Sequence, residues 1–220
     1  MRCSSFFGLC FFSVALAMAP SVSAIEISHY IFSEFVPGTI LMKDGTKNQA
    51  FLNFNAATEE MVFKQNDRVL ALADVTLNQI DTIFIEDRKF VVREKKIMEV
   101  LRQSSGYILF AQYKCRVIPP GKPAGYGGTS QTSASDSYSG WSQGGKMYEL
   151  QLPDDFKVVP YTVYKLQKGS EIKNFTSMGQ FGKYYKKKNN LFQDYVQQHK
   201  PDFNNQLAMA QLVAYMETNE

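Results

Sequence analysis

Between Val36 and Val117 the chain repeats one pattern: short runs of branched and aromatic residues, each ended by a turn signal, at intervals near ten residues. Thr39-Ile40-Leu41-Met42 is followed by Lys43-Asp44-Gly45-Thr46 and then by a second run at 49–54. Asp-Gly between two such runs predicts a hairpin, because glycine accepts the positive φ of a tight turn. Runs at 60–64, 68–72, 79–85, 89–93, 97–101 and 107–117 continue the series, punctuated by Asn66-Asp67, Glu86-Asp87 and Ser104-Ser105-Gly106. With no long helical pattern between them, a parallel sheet of alternating strands and helices is excluded. The chain reads as α+β and mainly β: an antiparallel meander closing as a sandwich, roll or barrel, followed by helices. Its 17 Phe and 12 Tyr, against one Trp, suit the pleated core of such a meander.

The pattern stops at residues 119–146. This stretch holds seven Gly, six Ser and three Pro, with Tyr126, Tyr138 and Trp141 scattered through it, and cannot bury a core of its own. Strand signals resume at 147–152, 161–166 and 171–175, so the stretch reads as an insertion within one β domain spanning 25–176. At Ser177, an expected helix N-cap, the period changes, and Met178, Phe181 and Tyr185 follow at helical spacing. A second helix is expected from near Asn190, with Leu191, Phe192, Tyr195 and Val196 on one face, stopping before Pro201. A third runs from about Asn204 to Glu217, so that 177–220 forms a helical segment packed on the sheet.

The first 24 residues have the three parts of a secretory signal: Arg2 as a positive start, an apolar run at 6–19, and a small-residue exit, Val22-Ser23-Ala24, after Pro20. The apolar run is shorter than the roughly 20 residues that span a bilayer, so cleavage after Ala24 is expected rather than anchoring. Cys10 is preceded by the bulky Leu9, which argues against a lipid there. Removing the signal takes away Cys3 and Cys10 and lowers the formal charge by one from +3. The near balance of charge implies no strongly charged partner and no nucleic acid. Cys115 alone of three cysteines remains, so no intramolecular disulfide is expected, although an export compartment would permit one.

Chemical motifs are sparse. Gly140-Trp141-Ser142-Gln143-Gly144 matches the pattern of a hydrolase nucleophile turn, with Asp154, Asp155 and His199 following. That motif needs a buried strand feeding a strained turn, and here it lies in a Gly/Ser-rich insertion. His29 and His199 stand far apart without paired cysteines, so no metal site and no cofactor are expected. Cys115 lies in an apolar strand run and reads as a buried thiol rather than a nucleophile. The acid pairs Glu59-Glu60, Glu86-Asp87 and Asp154-Asp155 adjoin turns and read as solvated. Lys183, Lys186, Lys187 and Lys188, interleaved with Tyr184 and Tyr185, form the densest basic cluster, read as a solvated face or a contact for anionic envelope polymers. No catalytic residue is assigned. Tyr126, Tyr138 and Trp141 are the candidate binding residues, able to stack on a sugar or grip a partner.

The signal, Gly38-Thr39-Ile40 with the Asp44-Gly45 hairpin, the Asp87-Arg88-Lys89-Phe90 motif closing residues 83–90, the run 107–114 and the helical stretch 181–195 together resemble uncharacterised exported proteins of Bacteroidetes-type bacteria. The resemblance spans nearly the whole chain after the signal and implies no assigned activity. The resulting expectation is a non-enzymatic envelope or secreted protein, periplasmic, outer-membrane-associated or extracellular, binding a protein partner or glycan. A hydrolase acting on an envelope or dietary polymer and a structural subunit of an envelope assembly stand as alternatives.

Overall fold

The computed structural model describes residues 25–26, 30–66, 68–118, 122–123, 129–130, 151–152 and 157–219. Its strands are β1 (Ile25–Glu26), β2 (Val36–Met42), β3 (Lys47–Asn55), β4 (Glu60–Gln65), β5 (Arg68–Ala71), β6 (Ile80–Ile85), β7 (Arg88–Arg93), β8 (Lys96–Gln103), β9 (Ile108–Ile118), β10 (Lys122–Pro123), β11 (Thr129–Ser130), β12 (Gln151–Leu152), β13 (Lys157–Lys168) and β14 (Glu171–Phe175). The helices are α1 (Asp74–Leu77), one turn between β5 and β6, then α2 (Met178–Tyr184), α3 (Asn189–His199) and α4 (Gln206–Thr218), with a 3-10 turn at Lys186–Lys188. The fold is therefore mainly β, with helices after the meander. Among the described residues no helix is long and apolar enough to cross a membrane.

Ten strands form one antiparallel sheet in the order β14-β13-β9-β8-β7-β6-β2-β3-β4-β5. Two short pairs lie outside it, β1 with β12 and β10 with β11. The order ends in two edges, so the closure is an open roll rather than a hydrogen-bonded barrel. On a flat sheet β3 and β9, five strands apart, would lie roughly 24 Å from each other. Instead the rings of Phe54 on β3 and Tyr113 on β9 meet with centroids 6.3 Å apart. That half of the sheet curls on itself.

The hairpin turns follow the residues that build them. Gly45 takes φ +88°, and the Asp44 carboxylate accepts from the Thr46 amide at 2.8 Å, holding the β2–β3 turn as expected. Glu94 and Lys95 between β7 and β8 both take positive φ, 50° and 59°, a two-residue turn made without Gly or Asn. Ser177 does stand at the N-cap of α2, but its hydroxyl makes no capping bond. Gln180 reaches back instead and accepts from the Thr176 amide at 2.7 Å.

Strand alternation puts two apolar clusters on the inner face. The first lies within the curl and includes Leu52, Phe54, Met61, Ile83, Ile85, Phe90 and Cys115. The second joins Leu109, Tyr164, Leu166 and Phe175 of the sheet to the helices, through Phe181 of α2 and Tyr185 at its C-cap, Phe192 and Tyr195 of α3, and Met209, Leu212, Val213 and Met216 of α4. The spacings in α2 and α4 are the i, i+3, i+4 repeats of a one-faced helix. The rings of Phe175 and Phe181 stack at 4.0 Å.

The segment entering β2 is held by one fully buried amide. Asn53 accepts from the amides of Phe32 and Phe54 at 3.1 and 2.8 Å and donates to the carbonyls of Phe32 and Glu34 at 2.9 and 3.0 Å. All four hydrogen-bonding positions of the side chain are thus used, and removing it strands backbone groups in the interior. Asn53→Ala is expected to lower the stability by about 3 kcal/mol in urea unfolding; a loss of only a few tenths would show that the segment is held by its apolar contacts alone.

Candidate functional site

One cross-strand row spans the inner face: Ile40, Ile83, Phe90, Glu99, Ala111, Tyr164 and Phe175. All seven are buried, and Glu99 alone is charged. It stands where the row passes from the curled cluster to the helical one. A carboxylate there must be paired or it would not stay ionised. Arg88, at the start of β7, pairs with it through two parallel bonds, Nε to Oε1 at 2.8 Å and Nη2 to Oε2 at 2.6 Å. Tyr113 donates its hydroxyl to Glu99 Oε2 and accepts from Arg88 Nη2 at 3.0 Å. The guanidinium also lies over the rings of Phe32, Phe90 and Tyr113, at 4.7, 5.4 and 5.6 Å.

The electrostatics of the trio are fixed by burial and mutual contact. Burial works against the Arg88 charge, but its bonds to Glu99 outweigh it and hold the guanidinium above its ordinary value. Burial, reinforced by the Glu99 charge, pushes the Tyr113 hydroxyl well above the tyrosine range, so it stays a donor. A saturated carboxylate and a permanent hydroxyl make a rigid floor rather than a nucleophile or proton shuttle.

Above this floor opens a cleft of about 1150 Å³. One wall is the roll, with Tyr30, Ile31, Ala56 and Asp87; the other is the loop before α4 and its first turn, with Asp202, Asn204, Asn205, Gln206 and Leu207. The helical wall is anchored: the Tyr164 hydroxyl donates to the Phe203 carbonyl at 2.8 Å, and Asn205 caps α4 by accepting from the Ala208 amide at 3.0 Å. Gln206 reaches Thr162 at 3.4 Å. The rim thus offers amides and carboxylates on a supported frame, with Tyr30 beside them.

A second buried carboxylate lies beside the cleft. Glu59, in the β3–β4 turn with φ +59°, accepts from Gln112 at 2.9 Å and from Lys114 at 3.0 Å, with Lys96 at 3.5 Å. The expectation that Glu59-Glu60 is solvated is therefore corrected: the curl of the sheet brings this turn against β9, where burial forces Glu59 into a network. Glu60 is half-buried, and burial raises its carboxyl above the ordinary value. Glu86 and Asp87 are exposed, as their turn position suggested, but Asp87 lines the cleft.

Of the other residues singled out by sequence, Tyr126, Tyr138, Trp141, Ser142, Asp154, Asp155, His29 and the signal with Ala24 lie outside the described residues. His199 ends α3 with its ring 4.4 Å from that of Tyr195 and does not line the cleft. Cys115 is buried, and burial, with the charge of Glu59, pushes its thiol up to about 12. Lys188 is not part of a solvated face: it donates to the carbonyls of Met216 and Asn219 at 3.0 and 2.7 Å and closes the end of α4. Lys183, Lys186 and Lys187 are exposed. Among the described residues no cluster of His, Cys, Asp and Glu suits a metal ion.

Arg88, Glu99 and Tyr113 were not among the sequence candidates. Glu99 did carry a signal, a carboxylate within the apolar run Ile97-Met98-Glu99-Val100-Leu101, which demands a buried partner. Comparison of the chain with protein-family models, curated proteins and solved structures finds no match.

Arg88→Met is expected to cost about 3–5 kcal/mol by leaving Glu99 buried without its cation. Adding Glu99→Leu should recover most of that loss in urea titrations, and a double variant no more stable than the single one would refute the pairing argument. Native Cys115 should react with an alkylating reagent at pH 8 at least about a hundredfold more slowly than in the urea-unfolded chain. Because the unfolded thiol ionises near 8.5 while the folded one stays protonated, stability should fall as the pH rises past roughly 9. A Cys115→Ala variant without that decline is the matching control.

Proposed function

We propose that the protein is an exported binding protein without catalytic chemistry, and that the cleft between the roll and the C-terminal helices takes a glycan. The single observation that carries this reading is the cleft's composition. Its walls present planar polar groups, Asp87, Asp202, Asn204 and Gln206, beside Tyr30 and the exposed side chain of Leu207. Polyols are bound by this combination: amides and carboxylates pair with adjacent hydroxyls, while aromatic and aliphatic surfaces cover the C–H faces of the ring. The ionisable groups of the floor already satisfy one another, which suits holding a ligand better than transforming it. Export rests on the sequence, whose first 24 residues have the form of a cleavable signal. A buried thiol held in its protonated state suits an oxidising compartment.

The reading is tested by screening the intact protein against neutral and charged glycans and then repeating the best hit with Asp87→Ala and Gln206→Ala, one on each wall. Both variants should keep the parent's unfolding midpoint and bind at least about tenfold more weakly. Binding unchanged in both would remove the cleft from the proposal.

A further inference from the structure

The cleft holds two carboxylates that no neighbouring cation neutralises, and we infer that the glycan it takes is a short oligomer of amino sugars with free, protonated amines. This rests on the glycan reading of the cleft and narrows it to one substrate class. Among the described residues, the charged side chains lining the cleft are Asp87, Arg88, Glu99, Lys114 and Asp202. Arg88 and Glu99 cancel in their bidentate pair. Lys114 is paired with Glu59, which lies outside the lining. Asp87 and Asp202 remain, with no ion pair to any described cation. Both are exposed. Asp202 accepts from the backbone amide and side chain of Asn204 at 2.9 and 3.4 Å, but both bonds end on Oδ1, which leaves Oδ2 for a ligand.

The placement of the two acids sets the kind of cation. Asp87 belongs to the β6–β7 turn on the roll, and Asp202 to the loop before α4, so a ligand that spans the cleft meets one charge on each wall. An acidic sugar would be repelled from both. A neutral sugar would offer them hydroxyls alone. An ammonium group donates in three directions and brings the opposite charge, giving charge-assisted bonds roughly twice as strong as neutral ones. The groups beside the acids distinguish an amino sugar from a bare polyamine. Asn204 and Gln206 follow Asp202 in the same segment, and Gln206 uses its Nε2 toward Thr162, so its carbonyl is left to accept. Amides next to a carboxylate fit an amine flanked by hydroxyls on adjacent ring carbons, which a polyamine lacks. The cleft, at about 1150 Å³, exceeds the roughly 300–1,000 Å³ that encloses one drug-sized molecule, so it has room for several rings. One amine per ring then supplies both walls.

Calorimetric titration of the intact protein in slightly acidic buffer, where sugar amines are protonated, would use four probes: a glucosamine oligomer, its N-acetylated counterpart, an oligogalacturonate and a lysine oligomer. The glucosamine oligomer should bind best, and each of the others at least about tenfold more weakly. That advantage should shrink as salt is raised. Asp87→Asn with Asp202→Asn keeps the shape of both side chains and removes their charge. In this double variant the advantage of the glucosamine oligomer over the acetylated one should fall to about twofold or less. Glu171→Gln with Asp194→Asn removes the same charge from exposed positions outside the cleft and should retain the advantage. The charge preference is overturned, with the glycan cleft left standing, if the acetylated or acidic oligomer binds the parent as tightly as the amino one. It is equally overturned if the advantage survives in the Asp87 and Asp202 variant or is lost to the same extent in the control pair. A lysine oligomer that binds as tightly as the amino sugar would overturn it in favour of a basic peptide. Binding of none of the three glycans would overturn both this inference and the reading beneath it.

Discussion

The bidentate pair between Arg88 and Glu99 is the interaction around which the two halves of this fold are arranged. A ten-stranded sheet has more inner face than one cluster can cover, and this sheet covers it in two ways: one half curls over itself, the other is roofed by helices. Where the two solutions meet, neither the curl nor the helices reach, and the inner face must tolerate water. A charged residue in the middle of the cross-strand row is affordable only there. Glu99, held by a guanidinium that is itself shielded by three aromatic rings, seals both apolar clusters against the opening. Tyr113, packed against both clusters, belongs to each of them at once.

The same logic explains the second carboxylate. Curling brings the β3–β4 turn against β9, and a glutamate at a turn becomes a buried group with three polar partners. Both acids are therefore consequences of tertiary curvature, and both cations that serve them closely, Arg88 and Lys114, border the cleft. Stabilising polar networks and the surface available to a ligand come from one geometric cause. That coupling restricts the chain's freedom to alter its cleft: changing the floor changes the junction of the cores.

How much of this was legible beforehand depends on whether the controlling interactions are local. The strands from β2 to β9, the Asp44-Gly45 turn and the three C-terminal helices were readable because each reflects alternation, a left-handed glycine or an i, i+4 repeat within a few residues. The Glu94-Lys95 turn carries no Gly or Asn, so nothing near it announces positive φ; the pairing of β7 with β8 imposes it. The single turn of α1 is too short to show a period. The placement of β2 beside β6, with three strands intervening in sequence, is a long-range choice made by the apolar faces. The cleft stayed hidden for the same reason, since its walls come from residues more than a hundred positions apart. Glu99 was the visible exception, an acid where alternation demanded an apolar side chain. Tyr126, Tyr138 and Trp141 stand out by local composition, whereas the meaning of one misplaced charge depends on strands distant in sequence.

The longest ladder in the sheet has a further consequence. β9 and β13 pair along their lengths, and Ile118 stands directly opposite Lys157, although 38 residues separate them in the chain. The chain thus leaves the sheet and returns to it at one level of this ladder. Loop closure grows only logarithmically with length, about 0.6 kcal/mol for each doubling. Lengthening the connection between the two strands therefore adds little closure cost, and their register is held by the pairs of the ladder itself.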